Sequence, residues 1–113
     1  MFIAIKKPIV SQNVRDKWHW AKRSAERIEW EKEIWAALNG QVKKHKAKGK
    51  RRLKITSIRP RMLDFLNLCG GSKGLVDAIV NLGLLIDDSP NYVDVEIKQI
   101  DGPTGTIIEL EEI

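Results

Sequence analysis

The sequence predicts a single small α+β domain spanning residues 1–113, in which a mixed sheet of about four strands carries two main helices. Three observations lead there. The chain has 113 residues, 42% of them hydrophobic, which suffices for one core and falls short of two ordinary domains. Its apolar residues switch along the chain between a period of two and a period near 3.6. The resulting order is strand, helix, strand, helix, strand, strand, which suits helices packed on one sheet.

Phe2 to Lys6 is a short β-branched and aromatic run stopped by Pro8, and reads as an edge or first strand. Residues 11–23, SQNVRDKWHWAKR, have no clear period and read as a loop or ordered arm. Ser24 to Asn39 is expected as the first helix. Ser24 caps it, Glu26 and Glu29 lie near its positive end, Ile28, Ile34, Trp35 and Leu38 form its apolar stripe, and Gly40 stops it. Eight Lys/Arg then fall between Lys43 and Lys54, so residues 41–52 are expected as a solvated basic loop leading into a strand at about Leu53 to Ile58.

Arg59-Pro60-Arg61 ends that strand, and a glycine-containing loop runs through Gly71. Ser72 caps the second helix, whose apolar face is Leu75, Val76, Ile79, Val80 and Leu82 and whose stop is Gly83. Asp87-Asp88-Ser89-Pro90 forms a turn. Tyr92 to Lys98 and Thr106 to Leu110 alternate with period two around a Gly/Pro turn, and are expected as a hairpin with one buried face.

Composition narrows the function classes. No run approaches the roughly 18 apolar residues of a membrane span, and the opening MFIAIKKPIV places its charges after its apolar residues, so neither a membrane segment nor a signal peptide is expected. One cysteine, Cys69, allows no internal disulfide and fits a reducing cytoplasm; with two histidines it supplies no tetrahedral zinc set. The net charge of +5 is divided: residues 1–62 carry 18 Lys/Arg against 5 Asp/Glu, and residues 63–113 carry 2 against 10. A basic half calls for a polyanion and a carboxylate-rich half for cations, so nucleic acid with a divalent metal answers both.

The candidate site residues follow from that pairing. Arg15, Lys17, Lys22 and Arg23 interleave with Trp18, His19 and Trp20, which suits backbone contacts plus base stacking, although tryptophans of this kind also serve as core residues. Lys46, Lys48, Lys50, Arg51 and Arg52 of the basic loop, and Arg59 and Arg61 beyond it, are candidate phosphate contacts. Hydrolysis of a phosphodiester is commonly done with Mg²⁺ held by a few carboxylates; Asp64 and Asp88 are the candidates, with Asp87 beside them. Lys73 can hold a phosphate oxygen, Asn67 can orient the loop, and Asp77 lies one turn after Lys73 and can pair with it. GGSKG lacks the spacing of a nucleotide-binding loop, so no nucleotide cofactor is expected.

This order resembles the RusA family of Holliday junction resolvases, mostly phage and prophage endodeoxyribonucleases. Arg59 and Arg61 match the family's arginine-rich lead, Asp64 and Asn67 the first aspartate and the asparagine of Asp-x-Asp-Asn, and Lys73 the lysine that follows. Asp77-Ala78-Ile79 matches the helical triplet, Gly83 the glycine, and Asp87-Asp88 the closing pair. The resemblance is concentrated in residues 59–95. It implies an α+β domain acting as a homodimer on four-way DNA junctions, with Mg²⁺ at Asp64 and Asp88 and Lys73 as the transition-state cation, in DNA recombination and repair. One position departs. Leu66 stands where the family has its second aspartate, and leucine cannot ligate Mg²⁺. The resemblance therefore implies either a weakened endonuclease or a protein of the same fold that binds junctions without cutting them.

Overall fold

A computed structural model describes all 113 residues. Strand β1 (Phe2–Ile5) is followed by helices α1 (Gln12–Asp16) and α2 (Trp20–Ala37) and a 3₁₀ turn (Val42–His45). The central strand β2 (Arg51–Arg59) leads into helices α3 (Phe65–Gly71) and α4 (Lys73–Asn81), then strands β3 (Val93–Asp101) and β4 (Gly105–Glu112). The four strands form one mixed sheet in the order β1-β4-β2-β3, and the α+β expectation holds.

β2 lies between two neighbours, and five of its nine residues are buried. Leu53 and Ile55 are completely buried and register against Leu110 and Ile108 of β4, which in turn meets Ile3 of β1. These residues point to one face. Trp30 and Ile34 of α2, Leu68 of α3 and Leu75, Ala78 and Ile79 of α4 cover that face, closing a core of 17 buried apolar residues. Phe2 and Ala4, the alternate residues of β1, stay exposed. The helices are therefore on one side of the sheet, as the period-two pattern requires.

The two alternating segments near the C-terminus do not form a hairpin. β3 runs parallel to β2 over Arg51–Arg59 against Val93–Asp101, whereas β4 pairs antiparallel with the opposite edge of β2. Two features separate them. Pro60 terminates β2, so the link from Asp101 to Gly105 can cross the end of that strand, with Gly102 N donating to Arg59 O at 3.3 Å. The 65–81 helices meanwhile supply the long crossover that a parallel pair needs.

Helix boundaries also move. α2 begins four residues before Ser24, capped by His19, whose Nδ1 accepts from Ala21 N at 3.3 Å; part of the expected arm is thus helical. Ser11 caps α1 by accepting from Val14 N. Residues 65–71, read as loop, are helix because Asp64 caps them, and Ser72 is no cap: its hydroxyl donates to Leu68 O at 2.8 Å. Gly83 does end α4. It adopts φ +79, and Gly83 N and Leu84 N bond back to Val80 O and Ile79 O in a Schellman closure. No helix is long and apolar enough to cross a membrane.

Candidate functional site

At the start of α3, Asp64 has a local role. Its Oδ1 accepts from Asn67 N at 3.0 Å and its Oδ2 from Asn67 Nδ2 at 2.6 Å, while Asn67 Oδ1 accepts from Asn13 N at 3.3 Å. The Asn67 backbone and side-chain donors hold the Asp64 carboxyl below the usual carboxylate range. Leu66, one residue before Asn67, is 76% exposed and supplies no ligand.

The glycines that follow serve packing. A methyl on Gly71 would overlap Val10 O, and one on Gly74 would overlap Glu26 Oε1, so each glycine lets a helix approach another segment. Against Gly74 lies a buried ion pair, Arg15 Nε to Glu26 Oε1 at 2.8 Å. Cys69 is half-buried, and burial pushes its thiol upward, away from nucleophilic use.

The convergence lies between α2 and α4. One polar cleft is walled by Arg15, Arg23, Arg27, Lys73 and Asp77 and contains no apolar side chain. An adjoining cleft of about 300 Å³ is walled by Arg27, Asp77, Asn81, Asp87 and Asp88. Arg27 and Asp77 belong to both. Cations for a phosphate and carboxylates for a metal thus stand side by side. No protein-family model and no curated protein matches this chain.

Within these clefts Lys73 Nζ lies 3.6 Å from Asp77 Oδ1, and Arg27 Nε lies 3.2 Å from Glu31 Oε2. Asp87 Oδ1 accepts from Asp88 N at 2.8 Å, midway along the α4–β3 connection. Asp64 and Asn67 are not part of either cleft. Asp88 lines one cleft and Asp64 lines neither, so the two carboxylates expected as a joint ligand pair share no cleft. No three His, Cys, Asp or Glu side chains are grouped as a metal cluster. The carboxylates that do share a cleft are Asp77, Asp87 and Asp88. They fit Mg²⁺ chemically, since that ion is usually held by one or two carboxylates with waters and substrate phosphates.

The candidate phosphate contacts divide. Arg15 and Arg51 are buried and belong to the scaffold. Arg51 donates to Glu112 Oε1 at 2.6 Å, to Leu84 O at 2.9 Å and to His45 O, tying the basic loop to the sheet. Arg59 donates to Ile9 O at 2.8 Å and to Arg61 O at 3.0 Å. Lys50 pairs with Asp94, and Arg52 with Glu111. Opposite charges half a sequence apart are therefore neighbours on adjacent strands, and part of the charge division is internal pairing. Lys17, Lys46, Lys48 and Arg61 are exposed and take part in no ion pair; Lys22 lies 4.7 Å from the Trp18 ring and Arg23 caps α1 through Arg15 O and Asp16 O. Sequence reasoning missed Arg27. Its signal was the four-residue spacing from Arg23, which places both on one helix face.

Proposed function

We propose that this protein is a RusA-like, Mg²⁺-dependent endodeoxyribonuclease acting on branched DNA. The observation that carries the reading is the shared wall of the two clefts: Arg27 and Asp77 join a cation-lined recess to a carboxylate-lined one. A scissile phosphate bridging the recesses meets Lys73, Arg23 and Arg27 on one side. Those cations neutralise its non-bridging oxygens and the charge that grows there in the transition state. Asp88, whose carboxylate makes no hydrogen bond or ion pair within the chain, and Asp87 are the metal-holding groups, with Asp77 completing the wall. Asp87 and Asp88 would hold Mg²⁺ there, and the ion would supply activation of water for attack on the phosphate. Lys73 is the residue best placed to stabilise the leaving oxygen. Paired nicks across a two-fold junction require two such sites, so the working unit is a homodimer. Cys69, a lone thiol, suits work in the cytoplasm.

A second reading is a junction-binding protein without turnover. Leu66 favours it, because the position beside Asp64 lacks the carboxylate that the resembled family uses. One experiment separates the two. Purified protein is incubated with an end-labelled four-way junction and Mg²⁺. Symmetric nicks that disappear in Asp88→Asn support the nuclease; a shifted complex with no product at any Mg²⁺ concentration removes it and leaves the binder.

A further inference from the structure

At the C-terminal end of α2 an aromatic ring is presented to solvent in a fixed setting. Trp35 is 56% exposed, yet a methyl on Gly40 would stand 2.9 Å from its Cζ2, so one side of the indole rests on the turn. That turn is a Schellman closure: Gly40 N bonds Trp35 O at 2.9 Å, Asn39 N bonds Ala36 O at 3.0 Å, and Asn39 adopts φ 52. Beside the ring runs a cleft of about 500 Å³ lined by Lys43, Lys44, Lys46, Asn81 and Leu82, with no carboxylate on its wall. None of the three lysines takes part in an ion pair. The loop carrying them is pinned: Ala47 N donates to Gly83 O at 2.9 Å. Asn81 is shared with the carboxylate cleft, so this surface continues the groove that begins at Lys73. Between Lys73 and Leu82 α4 advances about 14 Å.

We infer that Trp35 is a stacking platform for an unpaired base, with the adjoining phosphates held by Lys43, Lys44 and Lys46. The inference rests on the branched-DNA reading, because unpaired or splayed bases occur where duplex arms meet. A ring held by the turn at Gly40 and bordered by a second cleft of about 370 Å³, lined by Ile28, Glu31 and Lys32, has room for a base at little ordering cost, and three unpaired cations beside it match the sugar-phosphate chain.

The test measures binding in EDTA, so that no cleavage intervenes. Fluorescence anisotropy compares labelled oligothymidylate with an abasic oligonucleotide of the same length and charge. Wild-type protein is expected to prefer the thymidylate about tenfold. Trp35→Ala binds both alike, and Trp35→Phe keeps part of the preference. Lys43→Ala, Lys44→Ala and Lys46→Ala combined keep the preference but lower the slope of log affinity against log salt by about 2. Equal affinity of the wild type for the two ligands overturns the inference, a comparison that needs no variant to fold. An unchanged preference in Trp35→Ala, with loss of dimer in sedimentation, also overturns it and makes this face a contact between copies. The two readings fail separately: base preference without junction nicking defeats the nuclease alone, and nicking without base preference defeats the platform alone.

Discussion

Arg15 Nε donates to Glu26 Oε1 at 2.8 Å, with both side chains nine-tenths buried or more, and α4 rests on the pair through Gly74. Removing one partner leaves an uncompensated buried charge at the back of the cation-lined cleft. Arg15→Ala is expected to lose about 3–5 kcal/mol in urea unfolding. Arg15→Met with Glu26→Leu should lose much less than the sum of the single changes. A loss below about 1 kcal/mol for Arg15→Ala, the range of a surface pair, would show that the charges are solvated after all.

Asp64 makes stability depend on acid. Its folded carboxyl titrates below the unfolded one because Asn67 donates to the ionised form. The contribution is therefore present above the unfolded value, near 4, and disappears as pH falls through the lower folded value. Asp64→Ala should melt below wild type at pH 7, and the gap should close as pH drops below that range. Asp64→Ser restores a cap without a carboxylate. It should recover melting temperature and retain nicking; recovered stability with abolished nicking would return Asp64 to the metal.

Leu66→Asp asks the complementary question. The side chain is exposed on the first turn of α3, where a carboxylate suits the helix dipole, so stability should change by no more than about 0.5 kcal/mol. With the metal held at Asp87 and Asp88, nicking should stay within about twofold of wild type. A tenfold rise, accompanied by tighter Mg²⁺ binding in calorimetry, would place the working metal at α3 instead.

Salt dependence sorts the basic residues. Lys46→Ala with Lys48→Ala should flatten the slope of log affinity for duplex DNA against log salt by about 2. Arg51→Ala, whose guanidinium is bound to Glu112 and three carbonyls, should instead lower the melting temperature and leave the slope unchanged to within about 0.3. A flattening of about 0.9 in Arg51→Ala would mean that Arg51 reaches a phosphate.

Much of this protein is local, and local features were legible. Leu75 and Ile79 on α4 and the strand over Tyr92 to Lys98 follow from periods of 3.6 and two, and Gly83 ends α4 because its φ of +79 costs a glycine little. The stripe expected on α2 is only half right: Ile34 is buried, but Ile28 and Trp35 face solvent and Trp30 takes the core position, because the sheet meets that helix on a face turned away from them. The caps were harder to read. His19 and Asp64 displaced Ser24 and Ser72, since a cap is chosen by which side chain can reach the free N–H groups once the preceding chain is placed.

From residue order alone came one α+β domain, its strand and helix segments, and a set of charged residues suited to phosphate and metal. Tertiary structure alone decided that β2 lies between β3 and β4, that Arg15 and Arg51 are scaffold, and that Asp77 joins Asp87 and Asp88 beside Arg27 while Asp64 stays with Asn67. The reason is range. Periodicity reports neighbours within a turn or two of chain, whereas strand order, ion-pair choice and cleft membership depend on contacts between segments tens of residues apart, selected by the burial of the whole core.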